Sequence, residues 1–518
     1  MKNIFVMEAI STGRFYVREI AERGYHPVVI YPHLPDISPV YRQYRQAGEA
    51  YARQYTDDIY YPASDDLAEY EELLRRFQPA AVVAGSEIGV AMTDKLADRF
   101  GLPGNAPDGS RMRRDKYLMA AALKAAGVPA LKSALCHSVN ECLQYAKEIN
   151  SWPLVVKPLA GAGSQGVHFC HDMAELAEKC REVFQENNFF GAKNAAILLQ
   201  EFAVGTEYIV NTVSLHGRHT LTDMWRYRKI SIGSEGNAYD YALLVTEPDE
   251  REQELLTYAR QALTALGFCY GPSHTEIMLT ENGPRLIETG ARPMGAVHDI
   301  ATLQEALGHR IVDVALDTYV APQQAGKFAA RSYRPPKTMM TKVFMAPEAA
   351  KLTEIPLLHL LPYLRTARGG DFANARTAMA VVKTVDLETS PGELHLCGSY
   401  QEVWHDYQVL RALEKHYFTY LFAPEHLTAV LPAMHVRHED GRLEAVIKKA
   451  RRVPLTEWLD FAGRLAAGLQ DGEQLMLAGG CGLPQAVEKL FWAAFYCYQA
   501  NTPGCYQKRS SFDSINEK

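Results

Sequence analysis

Two glutamates stand in otherwise apolar stretches of residues 272–295, PSHTEIMLTENGPRLIETGARPMG. We interpret this segment as a hairpin with two strands on either side of a turn at 281–283. If the strands pair, Glu276 and Glu288 converge on one face, where buried carboxylates require a cation. Two oxygen ligands beside a phosphate site suit Mg²⁺, with Mn²⁺ as an alternative, whereas no Cys/His spacing in the sequence suits zinc. The competing interpretation is a pair of surface strands whose charges face water.

The same segment contains two further candidates for catalysis. Arg292 follows Glu288 by four residues, and a guanidinium there would hold a carboxylate or a transferring phosphoryl group in a fork. His274 precedes Glu276 by two residues, so both side chains share one strand face. His274 is thus a candidate proton acceptor, and a histidine with a purely structural role is the alternative.

A glycine-rich loop follows an apolar strand in residues 153–167, PLVVKPLAGAGSQGV. Small residues let backbone N–H groups approach phosphate oxygens, and the lysine adds a point charge. The order differs from that of a P-loop, because here the lysine precedes the glycines. The alternative is a hairpin turn beside a solvated lysine. The predicted phosphate-binding residues of this element are Lys157, Gly161, Gly163, Ser164 and Gly166.

Two more elements extend this candidate nucleotide site. Lys116 opens the helix that leads into the glycine-loop unit, although a lone lysine is more often a solvated charge. Residues 198–208, LLQEFAVGTEY, begin as an apolar strand and turn at Gly205. Phe202 and the small residues after it would line an adenine slot, and Glu207 would accept from ribose hydroxyls. The alternative for this turn is a solvated rim.

The elements that position these residues begin with a strand–helix–strand rhythm between residues 4 and 84, which predicts a parallel sheet. The loop at 85–87, Gly-Ser-Glu, follows one predicted strand, where ligands bind in open parallel sheets, or it is a plain connection. We predict an α/β protein with four segments, namely an N-terminal parallel-sheet domain at 1–110, a glycine-loop unit at 111–207, a hairpin unit at 208–415 and a mainly helical extension at 416–518.

The composition excludes several classes of protein. A net charge of -7 argues against a general binder of nucleic acid or anionic membranes. Nine cysteines without a C-x-x-C pair indicate reduced thiols and not a disulfide framework. The first residues are too short for a signal-peptide core, and no window approaches eighteen apolar residues. We therefore expect a cytoplasmic protein without membrane spans.

The order of these elements along the chain resembles that of ATP-grasp ligases: Lys116, VVKP with its glycine loop, QEFAVGTEY, then TEIML and RLIETGAR. The resemblance covers about residues 1–415. Within that superfamily the sequence is similar to stand-alone L-amino acid ligases, which make dipeptides. This similarity lies in LPGN at 102–105, SHTEIML at 273–279 and IETGARPMG at 287–295.

The resemblance implies an ATP-grasp fold, with 111–207 as the lid subdomain and 208–415 as the catalytic subdomain. The site residues it implies are Lys116 and Lys157 for ATP phosphates, Glu201 and Phe202 for adenine through their backbone, Glu207 for ribose, Glu276 and Glu288 for Mg²⁺, and Arg292 for the phosphorylated carboxylate. One departure is Gly290, where many ATP-grasp enzymes have an asparagine that contacts the metal.

The implied reaction joins a carboxylate to an amine through an acyl phosphate, with release of ADP and phosphate. The expected partners are small molecules, amino acids by resemblance, and a homodimer is expected from related enzymes. A lid must exclude water, and the glycine loop or residues 226–237, RYRKISIGSEGN, would form it. The amine's proton would go to His274 or to the phosphate. The alternatives are an ATP-grasp carboxylase, a purine-pathway-type ligase and a non-catalytic nucleotide-binding scaffold.

Overall fold

The computed structural model forms two compact units, one built from residues 1–237 and 242–336 and the other from 238–241 and 337–518. In the parts of the chain that the structure describes, no helix is long and apolar enough to cross a membrane. The described residues are 2–34, 38–159, 166–187, 193–232, 237–295, 297, 299–351, 364–371, 380–387, 389–422, 428–439, 442–454 and 474–478.

The first unit starts with a parallel sheet of four strands, in the order β3-β2-β1-β4. Its central strands, β1 and β2, are buried after their first residue, which is typical of a parallel sheet with both faces covered. The strand–helix–strand rhythm predicted from the sequence is confirmed, and the 85–87 loop follows β4 at the carboxyl edge of this sheet. The elements are β1 (Asn3–Met7), α1 (Phe15–Glu22), β2 (His26–Ile30), α2 (Pro39–Ala52), β3 (Ile59–Tyr60), α3 (Leu67–Phe77), β4 (Ala81–Ala84) and α4 (Val90–Arg99).

A short helix and a small antiparallel sheet come next, with strand order β5-β8-β6-β7. Two helices pack on this sheet around a core that contains four cysteines with buried thiols. Each helix begins at a polar residue, Ser138 or Asp172, whose side chain accepts from backbone N–H groups of the first turn. The elements are α5 (Lys116–Ala125), β5 (Ser133–Cys136), α6 (Val139–Ile149), β6 (Leu154–Pro158), β7 (His168–Cys170), α7 (Met173–Gln185) and β8 (Ile197–Glu201).

The first unit also contains long antiparallel strands in the order β13-β12-β9-β10. One face of these strands packs against α8 in a large apolar cluster that includes Tyr208, Val210 and Ile277. Since side chains alternate along a strand, the residues between them project from the opposite face. The elements are β9 (Gly205–Leu215), β10 (Arg218–Ser231), β11 (Asn237–Leu244), α8 (Glu250–Ala265), β12 (Tyr270–Thr280), β13 (Gly283–Gly290), α9 (Ile300–Leu307), α10 (Ile311–Val320) and α11 (Pro322–Ala329).

The second unit contains the antiparallel strands β14-β18-β16, a long helix and a three-stranded sheet with the order β19-β20-β21. Its charged core is the fully buried Lys342, whose ammonium contacts Asp240 at 3.0 Å and Glu414 at 2.9 Å. The elements are β14 (Thr338–Val343), β15 (Ala350–Lys351), β16 (Ala367–Asp371), β17 (Ala380–Val381), β18 (Glu393–Gly398), α12 (Tyr400–Phe422), β19 (Thr428–Glu439), β20 (Arg442–Pro454) and β21 (Gln474–Ala478).

The secondary structure described in the C-terminal extension differs from the one predicted from the sequence. Beyond α12, the described residues of the predicted helical extension form the strands β19, β20 and β21 and not helices. Short apolar stretches do not separate helix from strand by themselves, and the β-branched residues Val446, Ile447 and Val453 in 442–454 favour a strand. The four-segment division of the chain stays a prediction.

Candidate active site

The paired glutamates lie side by side on the hairpin of β12 and β13. Glu276 is the direct cross-strand partner of Glu288, as the sequence analysis predicted, so both side chains share one face. The next pair joins Ile277 to Leu286, which leaves Ile287 as an extra residue in β13. This β-bulge reverses the alternation of β13. Leu286 packs in the apolar core with Ile277, while Glu288, two residues later, projects from the other face.

Lys116 reaches this pair from the first residue of α5. Asp115 caps the helix by accepting from two backbone N–H groups, which fixes the start of the helix at the lysine. The Lys116 ammonium lies 2.5 Å from a carboxylate oxygen of Glu288. Burial disfavours the charged amine, but the negative charges of Glu288, Glu276 and Glu87 outweigh burial and raise the pKa of Lys116. The two residues therefore form a strong ion pair in the ligand-free protein.

Lys157 lies near the end of β6 and is only 5% exposed. Burial, together with repulsion from Lys116, lowers the pKa of the Lys157 amine to about 8. The predicted loop residues Gly161, Gly163 and Ser164 lie outside the described residues. Gly166, at the far end of the loop, has a φ of +70°, which side-chain-bearing residues rarely adopt.

The predicted adenine element follows β8. Glu201 is the last residue of β8, and its side chain accepts a hydrogen bond of 2.8 Å from the backbone N–H of Lys132. Phe202 packs edge-to-face against Phe169 of β7, with 5.4 Å between ring centroids. The Glu201 side chain is thus bonded to the neighbouring backbone, and Phe202 is a half-buried aromatic residue beside a second aromatic ring.

Glu207 has a cationic partner that the sequence analysis did not anticipate. The Lys229 ammonium, from β10, lies 2.8 Å from the Glu207 carboxylate. Burial raises the pKa of Glu207, and the positive charge of Lys229 opposes that shift. Lys229 belongs to the segment 226–237, which the sequence analysis identified as a lid candidate but not as a source of site residues.

Arg292 follows β13 and faces the loop after β4. Its guanidinium donates to the backbone carbonyl of Pro293 at 3.0 Å and lies 3.7 Å from the carboxylate of Glu87. A Cβ atom added to Gly290 would lie 2.7 Å from the same carboxylate. Glu87 therefore lies in the space that an asparagine side chain would enter at position 290, and such a side chain would require the end of Glu87 to move.

His274 lies on the same face as the glutamates. Its Nε2 is 3.6 Å from Glu276, and its Nδ1 is 2.9 Å from the side-chain oxygen of Asn211 on β9. Burial would raise the pKa of Glu276, but interactions with His274, and then with Lys229 and Lys116, outweigh burial and lower the pKa to about 2. Glu276 is therefore held as a carboxylate, the form that binds a cation.

The structure brings six of the predicted site residues into one charged cluster, whose members affect one another's pKa values or form ion pairs. We call this set the carboxylate–lysine cluster. Its members are Lys116, Lys157, Glu207, His274, Glu276 and Glu288, with Lys229 added by the structure. Lys229 and Glu87 carried weak sequence signals, because a lysine in an exposed hairpin and an acid after a strand are both common.

The cluster fits a hard divalent cation in its donor chemistry. Glu276 and Glu288 provide oxygen donors from adjacent strand positions; Lys116 now balances the charge of Glu288, and His274 lies 3.6 Å from Glu276. Within the described residues, no group of three or more His, Cys, Asp or Glu side chains is arranged to hold a metal. Two carboxylates without a complete protein cage match Mg²⁺, which keeps waters and takes phosphate oxygens as further ligands.

The part of the chain that contains most of this cluster matches a known protein family. Residues 150–299 match the family described as "ATP-grasp domain". This range includes the glycine loop, the adenine element and the hairpin, and the resemblance stated from the sequence is confirmed.

The chain is also similar to individual proteins of known name. The chain is 35% identical to dapdiamide A synthase from Enterobacter agglomerans over 46% of this chain and 57% of that protein. It is 22% identical to the L-arginine-specific L-amino acid ligase from Bacillus subtilis over 41% of this chain and 51% of that protein. The chain therefore spans about half the length of the curated relatives it matches. The crystal structure of an L-amino acid ligase from Bacillus licheniformis has the same fold, with a TM-score of 0.60, 20% identity, and coverage of 79% of this chain and 97% of that one.

Proposed function

We propose that this protein is an ATP-dependent carboxylate–amine ligase that joins two small molecules, most simply two amino acids, through an acyl phosphate. The observation that supports this proposal is the cross-strand pair Glu276–Glu288 with Lys116 and Lys157 beside it. Two carboxylates next to two buried lysines suit a metal–triphosphate, since the acids take the metal and the lysines take phosphate oxygens.

Nucleotide binding would exchange partners within the cluster. Lys116 now neutralises Glu288, and a phosphate group would draw the lysine away and leave Glu288 for the metal. Lys157 lacks a hydrogen-bond acceptor among the described residues, and its lowered pKa reflects that environment. A phosphate next to Lys157 would restore the charged amine.

The metal would be held by Glu276 and Glu288. When bound, Mg²⁺ would neutralise charge that develops on the transferring phosphoryl group. Glu207 would accept from ribose hydroxyls in place of Lys229, and Phe202 would contact the adenine ring.

The first chemical step forms a bond between a substrate carboxylate oxygen and the γ-phosphorus and breaks the bond to the β-phosphate oxygen. ADP leaves, and the substrate becomes an acyl phosphate. Arg292 is the cation available to the phosphorylated carboxylate, because its guanidinium has a loose contact of 3.7 Å with Glu87.

In the second step, the amine nitrogen of the other substrate bonds to the acyl carbon, and phosphate leaves with the electron pair of its bond. The nitrogen must lose a proton. His274 lies on the cluster face and is a candidate acceptor, and the departing phosphate is the other.

Amino acids are the proposed substrates because the similar proteins named above include an L-amino acid ligase and an L-arginine-specific ligase. The six cysteines that the structure describes are free thiols, which suits the cytoplasm, where ATP is also available.

The test is phosphate and ADP release with Mg²⁺–ATP across a matrix of paired amino acids. Glu288→Gln should reduce the rate at least about a hundredfold, because removal of a metal carboxylate costs several kcal/mol in the transition state. Glu281→Gln is the matched control, since Glu281 is an exposed residue in the turn of the same hairpin. If phosphate release is the same with and without amine substrates, or survives in Glu288→Gln, the proposal is wrong.

A further inference from the structure

The loop that follows β4 lies where ligands bind in open parallel sheets. In the strand order β3-β2-β1-β4, the strands β2 and β4 lie on opposite sides of β1, so ligands are expected between the loops after β1 and β4. The 85–87 loop packs tightly against the loop after β1. A Cβ atom on Gly85 would lie 2.4 Å from the backbone oxygen of Glu8, and one on Gly13 would lie 2.0 Å from that of Gly85. The backbone that carries Glu87 is therefore held in place.

Two arginines approach the carboxylate of Glu87 from this site. The Nε atom of Arg114 donates to one carboxylate oxygen at 3.2 Å, and the Nε atom of Arg292 lies 3.7 Å from the other. The side chains of Arg114, Arg292 and Glu87 are 32%, 21% and 27% exposed, so a solute can reach them. Two guanidinium charges against one carboxylate leave an excess of positive charge, which suits an anion.

Arg114 uses only a small part of its hydrogen-bonding capacity. Its Nε donates to Glu87, and no acceptor among the described residues lies within hydrogen-bond distance of its two terminal nitrogens. The preceding residue, Arg113, differs, because its terminal nitrogens donate to Asp94 and to backbone carbonyls. Terminal nitrogens of a guanidinium bind a carboxylate or a phosphate in a fork. Arg114 therefore retains the donors that an anionic group of a ligand needs.

The backbone of Arg114 is fixed on both sides. On one side, Arg113 is fully buried and donates at 2.7 Å to Asp94 of α4, the helix that follows the loop of Glu87. On the other side, Asp115 caps α5. A fixed backbone limits the positions that the guanidinium can reach, and it lowers the entropic cost of ordering the side chain when a ligand binds.

Arg114 and Glu87 lie beside the carboxylate–lysine cluster. A Cβ atom on Gly290, two residues after Glu288, would lie 2.7 Å from the Glu87 carboxylate. Glu87 is also close enough to the Lys116 ammonium to stabilise its charge. The function proposed above assigns neighbouring cations to the nucleotide and to the acyl phosphate, and it gives Arg114 no role.

We propose that the terminal nitrogens of Arg114 bind the α-carboxylate of the substrate that donates the amine. That substrate is then an amino acid with an unmodified carboxylate, and the product is a peptide with a free C-terminus. The first substrate does not use this site, because its own carboxylate is the group that is phosphorylated. In an α-amino acid one carbon separates the two groups, so a carboxylate on Arg114 keeps the amine nitrogen within roughly 4 Å. Arg292 approaches the other oxygen of Glu87, so a short ligand spans the distance between the two arginines.

This inference rests on the proposed function, which identifies the ligand as the amine donor. Binding of an amino acid through its carboxylate can nevertheless be measured without turnover. A protein that binds amino acids through Arg114 but releases no phosphate would contradict the ligase proposal alone. A protein that releases phosphate equally well with an amine donor that lacks a carboxylate would contradict the present proposal alone.

The first experiment is isothermal titration of the full chain, with Mg²⁺–ADP present, by each of the protein L-amino acids. Every amino acid that binds is then compared with its carboxamide, which keeps the amine and lacks the negative charge. We expect the carboxamide to bind roughly 10- to 100-fold more weakly, the range for loss of a charge-assisted hydrogen-bonded pair. Absence of binding by every amino acid, or equal affinity for acid and carboxamide, overturns the proposal.

Arg114→Gln then assigns the effect to this side chain. The variant should bind the amino acid roughly 10- to 100-fold more weakly and the carboxamide as the wild type does, so the difference between the two ligands disappears. Arg111→Gln is the matched control, because Arg111 is an exposed arginine in the same turn, and it should leave both affinities unchanged. An equal loss for acid and carboxamide in Arg114→Gln would mean that Arg114 acts only by holding Glu87, and the proposal would be rejected. A difference between the ligands that persists in this variant rejects it as well.

The kinetic expectation concerns one substrate only. With an active pair of amino acids, Arg114→Gln should raise the KM for the amine donor roughly 10- to 100-fold, while the KM for ATP stays near the wild-type value. A guanidinium fork also fits a phosphate group, so inorganic phosphate is titrated against the wild type and the variant. Binding of phosphate that depends on Arg114, with amino-acid binding unaffected by the substitution, would assign the fork to phosphate and overturn the proposal.

Discussion

Two buried cations of the first unit, Arg113 and Lys157, differ in what surrounds them. Arg113 is fully buried and donates to Asp94 at 2.7 Å and to the backbone carbonyls of Ala106, Leu266 and Gly267. Lys157 is nearly as buried, but no described acceptor lies within hydrogen-bond distance of its ammonium, and its pKa falls to about 8.

This difference in hydrogen-bond partners distinguishes a buried charge with a structural role from one that is placed to bind a ligand. Arg113 joins segments that are distant in sequence. Its ion pair and hydrogen bonds offset the free energy that its guanidinium loses when it leaves water. Lys157 is buried without interactions of this kind, so its charged form destabilises the folded protein unless an anion binds next to it. In this protein, a buried charge that lacks hydrogen-bond partners indicates a ligand site better than burial alone does.

The largest expected effect is on stability and concerns Arg113, the buried cation with a structural role. Asp94→Leu leaves Arg113 buried without its carboxylate and should lower the free energy of unfolding by about 3–5 kcal/mol. Denaturant unfolding measures this change. Glu71→Gln is the control, because the arginine partners of Glu71 are more than half exposed, and such pairs contribute about 1 kcal/mol or less. Equal losses in the two variants would contradict a structural role for Arg113.

Lys157→Met should act in the opposite direction on stability. Below pH 8 the amine is charged in both states, and the folded state bears the cost of burying it. A pKa shift from 10.5 to about 8 corresponds to about 3 kcal/mol. The variant should therefore be more stable than the wild type at pH 7 without ligand, by up to that amount, while Mg²⁺–ATP no longer stabilises it. A destabilised variant would show that Lys157 has partners comparable to those of Arg113.

The pH dependence gives a smaller and more specific test. Between pH 8 and 10.5 the unfolded state retains a proton that the folded state has lost, so stability contributed by this group rises with pH. Phosphate binding next to Lys157 should restore the proton. ATP binding measured calorimetrically near pH 8.5, in buffers of different ionisation enthalpy, should show net proton uptake in the wild type. Absence of this uptake, or its persistence in Lys157→Met, would contradict the assignment.

The smallest expected effect is on ATP affinity, and it distinguishes an apolar contribution to binding from a charged one. Phe202→Leu removes the edge-to-face contact with Phe169 and also the aromatic ring that we propose contacts adenine, and one such aromatic contact is worth about 0.5–1.5 kcal/mol. We expect ATP affinity to fall by that amount at every pH between 7 and 9. Isothermal titration of the ligand-free protein measures it, and a loss that varies with pH would show that Phe202 acts through the charged cluster.

The sequence predicted the parallel sheet, the hairpin and the pairing of Glu276 with Glu288, because each depends on local patterns of two or three residue types. The run from Arg113 to Lys116 illustrates what local patterns omit. Arg113 is a buried structural residue, Asp115 caps α5, and Lys116 pairs with Glu288. The role of Asp115 is local, but the roles of Arg113 and Lys116 depend on partners distant in sequence, which the spacing of charges does not specify.

Two other features lay beyond sequence reasoning for different reasons. The partner of Gly290 is Glu87, and only the folded chain shows that the two positions compete for the same space. The strands beyond α12 were predicted as helices, because isolated apolar stretches carry no clear period. The assignments of all the site residues to ATP and metal stay predictions.

Finally, the bulge at Ile287 bears on how this hairpin can change in evolution. Strict alternation through residues 286–288 would place Leu286 and Glu288 on one face, and the bulge prevents this; deletion of Ile287 would make the two residues adjacent and keep them on opposite faces, as they are now. Insertions and deletions are usually tolerated in turns, and the turn of this hairpin lies only a few residues away, at 281–282. Lineages of this protein should therefore vary in length at position 287 as well as at the turn, while an apolar residue and a glutamate stay at the positions of Leu286 and Glu288, a pattern that can be checked in sequences alone.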